Sequence, residues 1–323
     1  MQQRHLGSNG PDVSAIGFGA MSFAGWYGEA DDAESEATLD HAIRLGVNFI
    51  DTADTYGQGR SEEVVGRVLR RHRRDSVVVA TKFGGGGRDG LGRRDNVRPS
   101  CEASLRRLAT DHIDLYYLHR VDPTTPIEET VSAMAELVRA GLVRWIGLSE
   151  ASTATIRRAH AVYPFAALQT EYSLFSRDVE DAILPTVREL GIGFVAYSPL
   201  GRGLLSGAVA SQDQLAESDW RRTHPRFQPD TLARNAETLA ALQSIAERVG
   251  CTLPQLALSW LLHQANDIVP IPGTRRRSNI EANAAAAAIR LSEDDLRDID
   301  DVAAPDRVAG ERGSADYLAR VNR

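Results

Sequence analysis

The sequence predicts an α/β fold of the closed (β/α)8 type, a TIM barrel with an N-terminal hairpin and extra helices. Short apolar segments alternate with longer amphipathic ones along the 323 residues. That order is typical of right-handed βαβ units and a parallel sheet. Eight segments of each kind fit a closed barrel better than an open sheet, and unusual polar residues follow the apolar segments, where barrels carry their chemistry. We expect a single barrel domain over residues 1–323.

The predicted strands are short apolar runs: Ala15–Gly19, Val47–Ile50, Ser76–Thr81, Ile113–Leu118, Val143–Leu148, Phe165–Leu168, Gly193–Ala196 and Asp267–Val269. The predicted helices, placed by apolar periodicity, are 33–45, 61–71, 97–110, 127–140, 152–161, 179–190, 235–249 and 278–288. The turn-like segment Gly7–Asp12 predicts a hairpin within residues 2–14 that closes the barrel floor.

The starts of several helices carry recognisable capping patterns. Thr125–Glu128 and Ser278–Glu281 read as capping boxes, in which two side chains satisfy backbone N–H groups of the first turn. Thr252–Gln255 has the same pattern and predicts an extra helix over Pro254–His263, before the last strand. We expect a further helix near 293–302, outside the barrel.

The longest irregular stretch is Gly201–Arg234, in which Trp220 and Phe227 are expected to be exposed. A long loop within a compact domain is usually a lid or a binding loop. We therefore expect this stretch to border a binding site, together with the tail after Pro305.

Composition excludes several classes of protein. The net charge of -7 gives no reason to expect nucleic acid or an anionic membrane as a partner. No apolar run approaches the roughly 20 residues of a membrane helix, and the N-terminus lacks the apolar core of a secretory signal, so a cytoplasmic location is predicted. Cys101 and Cys251 are far apart, and no HExxH or CxxC spacing predicts a metal site. The Rossmann GxGxxG pattern is absent too, so a dinucleotide would have to bind in another framework.

One residue stands out from the basic composition. The chain has 37 lysine and arginine residues, and Lys82 is the only lysine among them. Arginine cannot replace a compact ammonium that donates in several directions and responds to burial. We therefore interpret Lys82 as a residue that a specific site requires.

Polar residues lie at the carboxyl ends of six predicted strands. These residues are Asp51, Lys82, His119, Ser149, Gln169 and Tyr197. In a (β/α)8 barrel those ends form one face, which carries the active site. The sequence therefore predicts that these side chains come together.

Acid–base chemistry follows from four of the residues on this face. Asp51 and Lys82, on neighbouring strands, can form a partly buried ion pair. Tyr56, five residues after Asp51, lies on a loop that can reach back over the pair. A neighbouring cation favours the phenolate and lowers the pKa of a tyrosine from about 10, which makes it a competent general acid. His119 can orient a substrate oxygen by a hydrogen bond.

The best candidate anion site lies late in the chain. The segment Pro270–Arg277 contains Gly273 and three consecutive arginines, and it leads into the predicted helix capped by Ser278. A helix N-terminus offers unpaired N–H groups, and arginine binds phosphate bidentately. Barrels often bind phosphate after the eighth strand, so a phosphate monoester is the predicted ligand.

These segments together resemble the aldo-keto reductase family. The matching segments are Phe49–Gly57, Ala80–Phe83, Asp111–His119, Ile146–Ser149, Leu168–Ser173, Ala196–Gly201 and Ile271–Thr274. They follow the family's order from about residue 4 to 290, nearly the whole chain. The features resemble the shorter-loop bacterial branch and its potassium-channel β-subunit-like relatives.

The resemblance implies NADPH-dependent reduction of a carbonyl compound, with Tyr56 as proton donor in a tetrad with Asp51, Lys82 and His119. It also implies a set of cofactor residues: Ser149 and Gln169 at the nicotinamide carboxamide, Tyr197 stacked on the ring, Ser198, Pro199, Leu200, Gly201 and Gly203 over the pyrophosphate, and Gly273, Thr274, Arg275, Asn279 and Asn283 around the adenosine phosphate. Substrate selectivity is expected from Met21, Trp26 and the loops 120–126, 201–234 and 305–323.

Three positions depart from the family pattern. Glu150 stands where many members have an asparagine beside the carboxamide, and a glutamate accepts hydrogen bonds but does not donate them. Gly273 replaces a lysine that some members use against phosphate, and Asn279 replaces an arginine used on the 2′-phosphate. Arg275 or a neighbouring arginine is expected to take over that role.

Two other functions remain open at the level of sequence. A Schiff-base lyase would use Lys82 as nucleophile, although pairing with Asp51 keeps a lysine protonated. A nicotinamide-sensing regulatory subunit would bind the cofactor tightly, turn over slowly and have a protein partner. No repeat or heptad pattern predicts an oligomeric state.

Overall fold

The computed structural model describes residues 1–26, 28, 30–85, 89–217 and 219–322, and it confirms the barrel. Eight parallel strands pair in chain order within this part of the chain: β3 (Phe18–Gly19), β4 (Phe49–Asp51), β5 (Val78–Phe83), β6 (Ile113–Leu118), β7 (Val143–Ser149), β8 (Ala167–Glu171), β9 (Gly193–Tyr197) and β10 (Ile268–Pro270). Two backbone hydrogen bonds join the first strand to the last, Gly17 N to Pro270 O at 2.9 Å and Gly19 N to Pro272 O at 3.2 Å. The sheet therefore closes on itself.

The predicted hairpin closes the floor of the barrel. It consists of β1 (Gln3–His5) and β2 (Asp12–Ser14), which pair antiparallel. Leu6 and Val13 are fully buried and belong to the apolar cluster inside the barrel. The hairpin therefore supplies the side chains that fill the amino-terminal end of the barrel, opposite the carboxyl ends of the strands.

The helices surround the barrel and include the predicted extra ones. Their bounds are α1 (Asp32–Arg44), α2 (Arg60–Leu69), α3 (Arg94–Leu108), α4 (Ile127–Arg139), α5 (Thr153–Val162), α6 (Ile183–Glu189), α7 (Pro229–Val249), α8 (Leu253–Gln264), α9 (Arg277–Ala285), α10 (Glu293–Val302) and α11 (Ala315–Leu318). Helix α8 is the predicted extra helix, and the capping box at its start is confirmed: Thr252 accepts from Gln255 N, and the Gln255 side chain accepts from Thr252 N.

Two of the predicted capping boxes are wrong. Helix α4 starts at Ile127, and the hydroxyl of Thr125 donates instead to Asp122 at 2.7 Å, in the loop before the helix. Helix α9 starts at Arg277, one residue earlier than predicted, so Ser278 lies inside the first turn. Neither helix has a side-chain cap at its first turn.

The stretch 201–234 is more ordered than the sequence predicts. Helix α7 begins at Pro229 rather than at 235, because proline suits the first turn of a helix. Short 3-10 turns occupy much of the segment before it. Phe227 is fully buried and Trp220 is partly buried, so the expectation that both are exposed is wrong. The segment packs down on the barrel instead of extending into solvent.

Candidate active site

The polar strand-end residues meet at the carboxyl face of the barrel. Asp51 is the last residue of β4, and Lys82 lies one residue before the end of β5. His119 follows β6 directly, with its backbone N–H bound to Phe83 O at 2.7 Å. Ser149 and Gln169 are register partners on β7 and β8. The barrel thus brings together residues that are as far apart as 118 positions in the chain.

A buried ion pair lies at the centre of this face. Lys82 is fully buried, and its ammonium donates to Asp51 Oδ1 and to Thr52 O at 2.8 Å. The other oxygen, Asp51 Oδ2, accepts from Gln169 Nε2 at 2.7 Å. A guanidinium is larger and planar, so it cannot occupy this compact position. The geometry therefore explains why the one lysine of the chain stands here.

The ion pair keeps Lys82 protonated. Burial lowers the pKa of Lys82, but its interactions with Asp51 and Tyr56 more than offset this effect, and the pKa stands above its usual value. Burial raises the pKa of Asp51, and Lys82 offsets part of that rise. The side chains thus depend on each other, because either charge alone would be costly to bury.

Tyr56 packs over this pair and is itself buried. Lys82 Nζ lies 5.1 Å from the centroid of the Tyr56 ring. Burial raises the pKa of Tyr56 above its usual value, and the nearby charge of Lys82 offsets only part of the effect. The lowering expected from the sequence is therefore wrong for this arrangement, since desolvation of the phenolate outweighs the ammonium. Tyr56 stays a protonated phenol across the physiological range.

His119 lies beside Tyr56 as a neutral imidazole. The two rings meet edge to face, with centroids 5.9 Å apart. Burial lowers the pKa of His119 well below its usual value, and the charges of Arg120 and Lys82 add to that effect. Within the described residues the ring atom Nδ1 has no hydrogen-bond partner. A neutral donor and a neutral phenol thus lie side by side.

Asp54 lies three residues after Asp51. Burial and the nearby charge of Glu62 raise the pKa of its carboxyl group to about 6. Because the folded pKa exceeds the unfolded one, this group lowers stability as the pH rises from about 4 to about 6. We therefore expect Asp54→Asn to stabilise the protein at pH 7.5 by on the order of 1–3 kcal/mol. Urea unfolding at several pH values measures this, and the gain should vanish near pH 4. Asp181→Asn, at an exposed site, is the control, and a gain that does not depend on pH would contradict the explanation.

A cleft of about 600 Å³ runs from Tyr56 to the start of α9. Most of the residues predicted to bind a cofactor line it: Tyr197, Ser198, Pro199, Leu200, Gly203, Gly273, Thr274, Arg275 and Asn279, together with Met21. The remaining predicted residues are placed around it. Ser149 and Gln169 are buried at the strand ends, Gly201 is buried in the turn after β9, and Asn283 is buried in α9. Trp26 is 43% exposed at the rim and meets the Tyr56 ring edge to face, with centroids 6.0 Å apart.

The segment 198–203 forms a strained turn along this cleft. Ser198 (φ 49°) and Arg202 (φ 58°) adopt the left-handed region that side chains other than glycine disfavour. Gly201 (φ 55°) and Gly203 (φ 104°) complete the turn without a steric penalty. Arg202 is held in place by its bond to Glu171 at 2.7 Å. Such strain is typical of a backbone that approaches a ligand closely.

The far end of the cleft has the donors that a phosphate needs, but acidic residues also border it. Thr274 Oγ1 accepts from Arg276 N and from Asn279 Nδ2, both at 3.1 Å. Arg275 lies against the opposite wall, where Nη1 donates to Gly28 O at 2.9 Å. Asp31 and Glu34 line the same end. Arginine is therefore the cation present at this end, where some family members have a lysine.

A glycine is required at position 273 for a structural reason that the sequence does not reveal. A Cβ atom at this position would lie 2.6 Å from Gly19 O, closer than packed atoms allow. The glycine therefore lets the first and last strands approach each other where the barrel closes. The sequence analysis placed Gly273 in the candidate anion site and missed this requirement.

Glu150 has a different role from the one its position in the sequence implies. Its carboxylate accepts from Arg312 Nη1 at 2.9 Å and Arg312 Nη2 at 2.7 Å, and Oε1 also accepts from the Tyr197 hydroxyl at 2.8 Å. Burial raises the pKa of Glu150, but the bonds to Arg312 hold it below its usual value. The side chain thus anchors the C-terminal tail, residues 309–322, across the barrel mouth. Tyr317 joins the same anchor through a hydrogen bond to Tyr197.

Arg312→Met should detach this tail, because it leaves the buried carboxylate of Glu150 unpaired. We expect the free energy of unfolding to fall by about 1–3 kcal/mol. This is less than the usual cost of breaking a buried ion pair, because the detached tail lets water reach Glu150. Chymotrypsin cleavage near Tyr317 should become faster, and urea unfolding should give the loss of stability. Arg307→Met, an exposed arginine just before the tail, is the control. Equal cleavage rates in the two variants would show that the ion pair does not hold the tail.

Arg120, the first residue of the predicted selectivity loop 120–126, is a further residue of this face that the sequence did not single out. It follows His119, and its Nη1 donates to His119 O at 2.6 Å and to Ser149 Oγ at 3.2 Å. Its guanidinium lies 5.8 Å from the centroid of the Tyr317 ring. A charged residue directly after a polar strand-end residue was the available signal. The tail residues Arg312 and Tyr317 gave no such signal, because nothing local links them to the barrel mouth.

Two features are absent from the part of the chain that the structure describes. No group of three His, Cys, Asp or Glu side chains is placed so that it can hold a metal ion. No helix is both long enough and apolar enough to cross a membrane.

Comparison with known proteins agrees with the fold. A sequence model described as "Aldo/keto reductase family" matches residues 15–304. The structure of a thermostable aldo-keto reductase in complex with the inhibitor epalrestat is similar, with 33% identity and a TM-score of 0.77, over 94% of this chain and 100% of the other. A glycerol dehydrogenase from Gluconobacter oxydans is also similar, with 28% identity and a TM-score of 0.84, over 94% of this chain and 96% of the other.

Proposed function

The chain belongs to the aldo/keto reductase family, and from this we propose that it reduces aldehydes or ketones to alcohols with NADPH, using Tyr56 as the acid. The observation that carries the proposal is the cluster of Tyr56, His119 and the buried pair Asp51–Lys82 at one end of the cleft. When bound, the reduced nicotinamide supplies a hydride to the carbonyl carbon.

The cofactor fits the residues of the cleft. The polar walls of the cleft extend from Tyr56 to the start of α9, and the strained turn 198–203 lies along them. Ser149 and Gln169 hold the carboxamide, and Tyr197 packs on the ring. The N-terminus of α9, with Thr274 and Arg275, holds the adenosine phosphate, since helix N-termini and arginine both favour that anion. Glu150 takes no part, because Arg312 and Tyr197 occupy its carboxylate.

Tyr56 and His119 act on the substrate oxygen. The neutral imidazole donates a hydrogen bond to the carbonyl oxygen and orients it, and the phenol of Tyr56 gives it the proton as negative charge develops. The ammonium of Lys82 stabilises the phenolate that remains, and Asp51 holds the ammonium in place. Burial excludes water and strengthens each of these interactions.

The charge of Lys82 argues against the lyase hypothesis. A Schiff base requires an unprotonated amine, and Asp51 raises the pKa of Lys82 above that of an ordinary lysine. Borohydride should therefore trap no substrate on Lys82. A regulatory subunit would share the cofactor site but would show turnover too slow to sustain steady-state reduction.

Titration with NADPH and, separately, with NADH tests the cofactor through quenching of tryptophan fluorescence. We expect micromolar binding of NADPH and weaker binding of NADH, followed by oxidation of NADPH when an aldehyde is added. Arg275→Met should weaken NADPH binding about tenfold with little effect on NADH, because arginine pairs with the 2′-phosphate through charge-assisted hydrogen bonds. Arg277→Met, which removes an exposed arginine near Glu34, is the matched control. Failure to bind either nucleotide would overturn the proposal.

A further inference from the structure

Arg120 carries a positive charge at the barrel mouth, and its bonds go to neutral acceptors. Nη1 donates to the carbonyl of His119 at 2.6 Å and to the hydroxyl of Ser149 at 3.2 Å. Within the described residues no carboxylate lies within ion-pair distance of its guanidinium, although the side chain is only partly exposed. A guanidinium that is removed from water requires a counter-ion or strong acceptors to offset the cost.

The carboxylates near Arg120 are already paired. Asp51 accepts from Lys82 and Gln169, so both of its oxygens are used. Glu150 accepts from both terminal nitrogens of Arg312 and from the Tyr197 hydroxyl. The ring of Tyr317, 5.8 Å from the guanidinium, covers one side of Arg120 without neutralising it. The protein thus leaves an unneutralised cation at this position.

The position of Arg120 is next to the reacting groups. Arg120 directly follows His119 in the sequence, and the ring of His119 meets that of Tyr56 edge to face. Its charge acts on both rings: it is among the causes that lower the pKa of His119 and limit the rise in the pKa of Tyr56. The charge of Arg120 therefore acts at the place where a carbonyl oxygen would lie, between Tyr56 and His119.

We propose that Arg120 binds a carboxylate of the substrate, so that the preferred substrates are aldehydes or ketones that carry a carboxylate. This inference rests on the proposed reductase function and names its substrate class. The planar guanidinium matches a carboxylate bidentately. A monoanion suits the site better than a phosphate dianion, because Lys82 and Arg312 are already paired with Asp51 and Glu150, which leaves the single positive charge of Arg120. The carboxylate so held directs the carbonyl group towards Tyr56 and His119.

Two aldehydes of the same shape test the inference: 4-carboxybenzaldehyde, an anion, and 4-carbamoylbenzaldehyde, which is neutral. The wild-type protein should favour the anion by about tenfold or more in kcat/KM. Arg120→Met should lower kcat/KM for the anion about 10- to 100-fold, the effect of losing hydrogen bonds between charged groups. The neutral aldehyde should change by less than about threefold, and Arg120→Lys should restore part of the loss. Arg98→Met, on an exposed face of α3, is the control.

An equal loss for both aldehydes, or a common shift of their pH–rate profiles, would overturn the inference, since Arg120 would then act through Tyr56 or His119. Weaker NADPH binding by Arg120→Met would also overturn it, because the guanidinium would then contact the nicotinamide carboxamide. Folding of each variant is checked by its urea unfolding curve.

Binding without turnover separates this inference from the proposed function. The inert analogue 4-methylbenzoate, which has no alcohol to oxidise, should bind the protein in the presence of NADP+, measured by calorimetry, and Arg120→Met should abolish the binding. That result would support the carboxylate site even if no carbonyl compound were reduced. Absence of benzoate binding to the wild-type protein would overturn the inference whether or not the reductase activity exists.

Discussion

Tyr56→Phe is expected to lower kcat about 10²- to 10⁴-fold while the Kd for NADPH stays within about twofold. The variant removes only the hydroxyl group, which carries the proton, and the ring that packs over Lys82 remains. Because the raised pKa of Tyr56 keeps the group protonated, it is present as an acid throughout the physiological range. Single-turnover oxidation of NADPH in the presence of an aldehyde measures the chemical step directly.

Tyr116→Phe is the matched control for this experiment. Tyr116 is also fully buried, one strand away from Lys82, and its hydroxyl has no hydrogen-bond partner among the described residues. Its ring stacks on Phe83, with centroids 4.9 Å apart, in the apolar layer between the barrel and the helices. Loss of this hydroxyl should leave turnover unchanged. A Tyr56→Phe variant as active as the control would disprove the role of Tyr56 as the acid.

Lys82→Met has the largest expected effect on stability, because it leaves Asp51 buried without its cation. Removing one partner of a buried ion pair typically costs about 3–5 kcal/mol. Without the ammonium, the pKa of Asp51 rises further above its unfolded value, so the cost applies at neutral pH and fades as the pH falls and the carboxyl takes up a proton. Urea unfolding at pH 7.5 and at pH 5 measures the cost and its dependence on pH.

The double variant Asp51→Asn, Lys82→Met separates the two contributions of the pair. It removes both charges, so most of the lost stability should return. Activity should not return, because no ammonium remains to stabilise the Tyr56 phenolate. Lys82→Arg should also be inactive, since the planar guanidinium cannot take the place of the ammonium between Asp51 and Thr52. A loss below about 1 kcal/mol in the single variant would contradict the account of a buried pair.

The sequence by itself determined the barrel and the cluster of polar residues at its carboxyl face. The alternation of apolar and amphipathic segments has the period of βαβ units, and strand ends such as Asp51, Lys82 and His119 must share one face once such units close into a barrel. The lone lysine marked the place where a compact buried cation is required. These features are local or follow from the order of the elements, and a sequence records both.

Tertiary structure alone decided how charge is distributed at the barrel mouth. The pair Glu150–Arg312 joins residues 162 positions apart, and no local pattern links them. The direction in which the pKa of Tyr56 shifts depended on the degree of burial. Once the ring is covered, the desolvation cost of the phenolate outweighs the stabilisation by the neighbouring ammonium. Arg120 is left without a carboxylate for the same reason, since the nearby anions Asp51 and Glu150 are bound by partners that only the folded chain brings close. Electrostatic energies depend on distance and solvent access, and the order of residues in a chain specifies neither.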